Sequence, residues 1–322
     1  AVPAAENAFK NCDCLLAVGT RFSEIATGSF GITPPKTIIH IDINPEVFNA
    51  NYKTEIGIEG DSKIVLEKLV AKVKALKQSP NSNEKLKQQI AQDKKDYLQS
   101  WYRHDSKERV NPAKFFSELR KQLPDDGFVI ADDGNHTFLT AELMPIHQPR
   151  HFISPTDFNC MGYAIPATIA TKLAHPKNAV VGIIGDGAFL MTAMEILTAA
   201  RLQLGALFTV FNDGELSQIS QAQNIPYNKK TCTVLGNVNF AGIADATGAE
   251  YIRIDNDSGI ETGLKKAFSS CAQNKPVILD VMIDYTKRTR FTEGIVGTNL
   301  KRLPTGTKVR MVSRALWRRV VN

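Results

Sequence analysis

Two apolar runs in this sequence end in residues that could hold a hydrated cation. Val180–Gly187 reads VVGIIGDG and Leu207–Gly214 reads LFTVFNDG. The first closes on Gly185-Asp186-Gly187 and the second on Asn212-Asp213-Gly214, with 24 residues between Gly187 and Asn212. An ionised aspartate, a carboxamide and a backbone carbonyl near Gly214 are all hard oxygen ligands. Mg²⁺ prefers such ligands in octahedral geometry and shares them readily with phosphate groups. One charged and two neutral protein ligands leave room for two phosphate oxygens and a water. Gly185 and Gly187 allow close backbone approach. A helix following them would present free N–H groups and a positive dipole end, which suit phosphate. The chemistry this predicts is the binding of a diphosphate–Mg²⁺ complex. A lone Gly-Asp-Gly is more often only a turn, so the argument rests on the pair of strand ends.

These residues need a scaffold that brings strand ends together, and the pattern along the chain supplies one. Residues 12–18 and the run KTIIHIDIN (Lys36–Asn44) read as strands, and YKTEIGIEGD holds another. Asp61 is placed to cap a helix reaching about Leu76, with Ile64, Val65, Leu69 and Val73 at helical spacing. From Gln78 to Asn111 the chain turns polar and charged. Ser79-Pro80-Asn81 breaks it, and a charged helix is expected to follow. This reads as a connector, with Trp101 and Tyr102 as packing contacts or anchors. Alternation then resumes, with helices expected near 112–122, Met161–Leu173, 190–203, Phe240–Thr247 and 258–272. Strands are expected at FVIADDG, NAVVGIIGDG, ALFTVFNDG, Tyr251–Ile254 and Pro276–Ile283. Alternating β and α elements predict an α/β fold with parallel sheets in three-layer domains. In such sheets ligands bind beyond the carboxyl ends of the strands. A third polar strand end, Asp132-Asp133-Gly134-Asn135-His136, joins the other two there.

Composition narrows the class. The chain has 322 residues, 43% hydrophobic and 22% charged, as expected of a globular protein with one or two domains. Residues 286–322 carry ten Lys or Arg against Glu293 alone, a net +9, which leaves −3 for the rest. The basic balance therefore belongs to a tail, read as a solvated arm or terminal helix. A nucleic-acid partner would need a basic face on the folded body, so none is expected. No apolar run approaches the ~20 residues that span a bilayer, and the first ten residues lack a signal-peptide pattern. No membrane partner and a cytoplasmic location are the expectation. The five cysteines, Cys12, Cys14, Cys160, Cys232 and Cys271, are odd in number and scattered, which argues for reduced structural thiols.

With these motifs in hand, the sequence resembles the thiamine-diphosphate-dependent enzymes, and within them the acetolactate synthase large-subunit group. Gly-Asp-Gly, about two dozen residues, then an Asn pair or close variant is that family's cofactor signature. NCMGYAIPATIATKLAHP, ADDGNHTFLTAEL and AVGTRFSEIATGSF…TIIHIDINP are similar to three further segments of the group. The resemblance covers about residues 5–77 and 108–285. It implies a thiamine-diphosphate-binding fold at 112–285, a partial middle domain at 1–77, a connector at 78–111 and a basic tail at 286–322. It also implies that Asp186, Asn212 and the Gly214 carbonyl hold Mg²⁺. Asn135 and His136 would contact the diphosphate, and Gly185, Gly187, Ala188 and Phe189 would form the backbone cradle. Met161 would bend the cofactor and bind its aminopyrimidine together with the Asn159 carbonyl. Glu215 and Leu216 would begin the helix flanking the site. Two departures stand out: Phe211 replaces the first Asn of the pair, and Asn159-Cys160 replaces a glycine before Met161.

The implied activity is carboligation or decarboxylation of a 2-keto acid such as pyruvate, a reaction type of branched-chain amino acid biosynthesis. The family's cofactor-activating glutamate sits in a pyrimidine-binding domain, and no Glu here matches it by motif. A longer parent chain, a partner chain carrying that domain (or a homo-oligomer), and a non-catalytic cofactor-binding module are three readings of this. The absent first strands of the middle sheet predict an unpaired apolar edge. FAD, which some family members hold in the middle domain, would meet Arg21 and the Thr27–Gly31 loop, but half of that domain is missing. Decarboxylases and 2-hydroxyacyl-CoA lyases share these motifs. A nicotinamide-dependent oxidoreductase would need Gly-x-Gly-x-x-Gly after the first strand, and GTRFSEIATGSFG does not fit it.

Overall fold

Two parallel sheets organise the chain in the computed structural model, which describes residues 2–28, 30–76, 83–156, 158–293 and 303–321. The chain divides into two compact units, 1–99 with 290–303 and 100–289 with 304–322.

The first unit opens with α1 (Pro3–Asn11), β1 (Cys14–Val18), β2 (Thr37–Asp42), β3 (Ile56–Glu59) and α2 (Ser62–Ala75), followed by most of α3 (Glu84–Tyr102). Its sheet has the order β1-β2-β3 with both pairs parallel. The Asp61 carboxylate accepts from the N–H groups of Lys63 and Ile64 at 3.0 and 3.1 Å, so α2 starts where an N-cap aspartate demands. The core here is small: Ala17, Phe22 and Ile38. β1 lies at one edge, with Leu16 44% exposed.

Within the polar stretch expected as a connector lies the charged helix expected there, α3, and the unit division falls inside it. The break at Ser79-Pro80-Asn81 lies outside the described residues. Trp101, at the carboxyl end of α3, is fully buried in the second unit, and the Asn111 amide donates to its carbonyl at 2.9 Å. The change in polarity along the sequence thus marks a solvated helix that runs across the division between the two units. The basic tail likewise divides, 290–303 falling with the first unit and 304–322 with the second.

The second unit holds α4 (Pro112–Gln122), β4 (Phe128–Ala131), α5 (Asn135–Leu143), β5 (Phe152–Ile153), α6 (Ala164–Ala174) and β6 (Val180–Gly185). It continues with α7 (Asp186–Thr192), α8 (Ile196–Arg201), β7 (Leu207–Asn212), α9 (Ser217–Tyr227) and α10 (Phe240–Thr247). β8 (Glu250–Ile254), α11 (Ile260–Ala272), β9 (Val277–Met282) and α12 (Thr305–Val321) complete it. The sheet order is β5-β4-β6-β7-β9-β8, parallel throughout. The chain leaves β4 toward β5 and returns on the other side as β6. That reversal opens a crevice at the carboxyl ends of β4 and β6. β4 is buried at every position, and β6 and β7 at all but their last, which matches their unbroken apolar runs.

Three expected helix boundaries are corrected. The helix expected from Met161 starts at Ala164, because Gly162 sits at φ 85° and the Asp132 carboxylate holds the N–H groups of Gly162 and Ala164 in a turn. The helix expected at 190–203 starts at Asp186, directly after β6, and is interrupted by a 3₁₀ turn at Ala193–Glu195. Glu215 and Leu216 precede α9, which starts at Ser217. Cys12, expected in the first strand, follows α1 as its cap residue, and β1 begins at Cys14.

Candidate functional site

The three polar strand ends read from the sequence lie on β4, β6 and β7, which are consecutive in the sheet. Two adjoining clefts open over them. One, of about 500 Å³, is lined by Asn135, His136, Met161, Gly185, Asp186, Gly187, Ala188, Glu215 and Leu216, with Asp133, Asp213 and Tyr285 among their neighbours. The other, of about 830 Å³, brings together Asp186, Asn212 and Gly214 with Arg109 and Arg253. Asp186 lines both. Eleven of the 13 residues expected at the site therefore line one cleft or the other. The exceptions are Asn159, which is exposed at φ 58°, and Phe189, whose side chain is fully buried in the core.

Asp186 is 3% exposed. Its Oδ1 accepts from the Gly187 N–H at 2.8 Å, and its Oδ2 from those of Gly214 at 2.7 Å and Asp213 at 3.2 Å. Burial pushes the carboxyl up from its usual range, and these N–H donors oppose that shift. Gly214 sits at φ 80°, a conformation that favours glycine, so its N–H can turn to Asp186. Its carbonyl accepts from Leu235 at 3.0 Å and keeps a second lone pair. The Asn212 amide nitrogen donates to Asp280 at 2.9 Å, which leaves its oxygen as the end free to accept. Arg109 Nη1 donates to the carbonyls of Asn212 and Ile283 at 3.3 and 3.1 Å, holding the backbone at the ends of β7 and β9.

On the β4 side, His136 is 3% exposed, and burial lowers its imidazole to about 3, so the ring is neutral. A Cβ at Gly185 would come within 2.9 Å of the His136 ring, so glycine there is what allows the ring to lie against the strand end. The His136 Nε2 and the Asn135 Oδ1 are buried without a hydrogen-bond partner among the described residues. Buried polar atoms of this kind are costly unless paired, so two in one cleft point to a polar ligand. Asp213, beside Asp186, is pushed up to about 7, chiefly by burial, and accepts from the Ser217 hydroxyl. Glu215 is held below its usual range by Lys230, whose ammonium lies 2.6 Å away.

Sequence reasoning placed Asp132 at a polar strand end without giving it a role, and missed Asp280. Asp132 is fully buried, and it accepts from Asp133, Gly162 and Ala164 at 2.9, 2.9 and 2.7 Å, tying the turn that carries Met161 to the end of β4. Asp280 is also fully buried, in the middle of β9. Its signal was legible as an acid inside the apolar run VILDVM.

Asp186, Asn212 and Gly214 together offer one carboxylate, one carboxamide oxygen and one carbonyl, an all-oxygen set that suits Mg²⁺ better than a thiophilic metal. Among the described residues, no group of three His, Cys, Asp or Glu side chains converges as a metal site. The residues therefore fit a diphosphate held through a hard cation: oxygen ligands on one wall, and unpaired polar atoms facing the neighbouring cleft.

The chain is 31% identical over 300 residues to the probable acetolactate synthase large subunit of Methanocaldococcus jannaschii, covering 87% of this chain and 48% of that protein. It is 27% identical over 290 residues to the acetolactate synthase isozyme 3 large subunit of Escherichia coli, covering 85% and 48%. It is 27% identical over 294 residues to the mitochondrial acetolactate synthase catalytic subunit of Saccharomyces cerevisiae, covering 87% and 42%. The chain spans about half the length of the curated relatives it matches. Residues 1–69 match the family described as "Thiamine pyrophosphate enzyme, central domain", and residues 132–281 match "Thiamine pyrophosphate enzyme, C-terminal TPP binding domain". The chain therefore belongs to the thiamine pyrophosphate enzymes, of which it carries central-domain and C-terminal cofactor-binding sequence.

Proposed function

We propose that this chain is the Mg²⁺- and thiamine-diphosphate-binding part of an acetolactate synthase-like enzyme, which acts on 2-keto acids such as pyruvate by carboligation with loss of CO₂. The observation that carries the reading is the convergence of Asp186, Asn212 and Gly214 on one cleft, with Asp186 also facing the cleft of His136 and Met161. When bound, thiamine diphosphate supplies a nucleophilic carbon for making and breaking bonds at a keto carbon. The chain's own residues bind and orient. Asp186 supplies the negative charge for the cation, while Asn212 and the Gly214 carbonyl supply neutral oxygens. His136, kept neutral by burial, offers its ring nitrogen to the diphosphate without adding charge. Met161 is held at the cleft wall by the turn that Asp132 ties down. The Phe211 departure leaves the ligand set intact: Phe211 packs against Phe115 and Phe116 and borders only the first cleft, while Asn212 lines the second with Asp186 and Gly214.

The activating glutamate belongs in this reading to a pyrimidine-binding domain, supplied by a longer chain, a partner chain or an oligomer. A cytoplasmic location fits the same reading, and no helix among the described residues is long and apolar enough to cross a membrane. A 2-keto acid decarboxylase or 2-hydroxyacyl-CoA lyase would use the same diphosphate site. Calorimetry with thiamine diphosphate and Mg²⁺ tests the proposal: heat of binding is expected for the wild type and none for Asp186→Ala. Equal heats from both would overturn the metal assignment.

A further inference from the structure

Asn212 ends β7, and nothing about its own position says which end of its carboxamide faces the cleft. The neighbouring strands decide it. In the parallel register Asp280 on β9 lies opposite Val210 on β7 and opposite Arg253 on β8. Side chains alternate along a strand, so Asn212, two residues beyond Val210, shares a sheet face with Asp280, as does Tyr251, two residues before Arg253. All three neighbours donate to the fully buried Asp280: the Asn212 amide at 2.9 Å, the Tyr251 hydroxyl at 2.8 Å and Arg253 Nη1 at 3.3 Å. Burial, and then the bond to Asp280, push the Tyr251 hydroxyl up to about 12, so it remains a donor. Tyr251 and Arg253 satisfy the carboxylate from one side and leave an acceptor oxygen for Asn212. A carboxamide whose nitrogen is held in this way must turn its oxygen the other way.

We propose that Asp280 is a positioning residue for the cation site, fixing the Asn212 carboxamide with its oxygen presented to the cleft shared with Asp186 and Gly214. This rests on the reading of Asn212 as a metal ligand. Asp280 does not itself line either cleft, so it acts only through Asn212. Partners one step behind a metal ligand typically change metal affinity by about 10- to 100-fold when removed.

The test measures metal binding directly, by titrating Mn²⁺ as a Mg²⁺ substitute into the chain with saturating thiamine diphosphate and following free Mn²⁺ by electron paramagnetic resonance. Asp280→Asn keeps the shape but cannot accept all three bonds at once. Its metal affinity is expected to fall by about tenfold or more, with the melting temperature of the cofactor-free chain little changed. In an Asn212→Ala background the same substitution should cost nothing further. Tyr251→Phe, which removes a peripheral donor, should show a smaller loss that also disappears in that background, and it serves if Asp280→Asn does not fold. Wild-type affinity in Asp280→Asn would overturn the proposal, as would a loss that persists without the Asn212 side chain. Metal binding that survives Asp186→Ala would instead overturn the site assignment beneath it, a separate and recognisable failure.

Discussion

The ends of β4 and β6 are neighbours in the sheet, and each carries a buried aspartate that accepts three backbone N–H bonds. Asp132, after β4, is fully buried and takes its bonds from Asp133, Gly162 and Ala164. Asp186, after β6, is 3% exposed and takes its bonds from Gly187, Asp213 and Gly214. Burial raises both carboxyls, and N–H donors oppose it in both. The difference lies in what surrounds them. Asp132 lines neither cleft, whereas Asp186 lines both. Similar chemistry at adjacent strand ends therefore ties the fold together in one place and, on the proposed reading, builds a ligand site in the other. Burial and bond count do not separate the two roles, but access to a cleft does.

Substitutions should pull the two apart. Asp132→Ala leaves buried N–H groups at Gly162 and Ala164 unpaired, and is expected to cost about 3–4 kcal/mol of stability by chemical denaturation. Cofactor binding should weaken only as a consequence, through the displaced Met161 turn. Asp186→Asn should do the reverse. Metal-dependent cofactor affinity should fall about 100-fold, roughly 2.7 kcal/mol, while the melting temperature of the cofactor-free chain stays close to the wild type. If both variants lose stability equally, Asp186 is structural and the contrast collapses.

A further effect, small per pH unit, should appear in acid. His136 lies against the β6 strand end and titrates at about 3 in the folded chain, against 6.5 for an exposed imidazole. Between those values the unfolded chain holds the extra proton, so stability falls as pH drops from 6.5 toward 3. The slope from this group is at most about 1.4 kcal/mol per pH unit. His136→Gln should flatten that limb in a denaturation series across pH, and an unchanged slope would show that other groups set it.

Much of this was legible in the sequence, for identifiable reasons. The strands at Val180–Gly185 and Leu207–Asn212 announced themselves because strands covered on both faces are apolar without interruption. Asp61 before α2 and Asn111 before α4 are N-cap residue types at the positions where the helices start. Asp186 and Asn212 were legible as a pair because polar residues at the ends of such strands have few other uses. What escaped depended on contacts distant in sequence. The turn at Met161 is set by Asp132, 30 residues upstream of Gly162, and overrides the local helical pattern. Asp280 meets Asn212 across 68 residues, through strand order that no local period encodes. In the polar segment before Asn111, composition carried the charged helix, α3, while the burial of Trp101 at its end depends on contacts that the local sequence does not encode.

The position of Asp186 on the wall between two clefts has a thermodynamic consequence. An occupant of either cleft changes the charge, orientation and solvation of the same carboxylate, so the two sites do not fill independently. By linkage, the factor by which a cation tightens the diphosphate must equal the factor by which the diphosphate tightens the cation. On the proposed reading, neither affinity would be a constant of this chain by itself. Each is defined only at a stated concentration of the other partner, and the stability that bound ligands confer on the fold grows with both together.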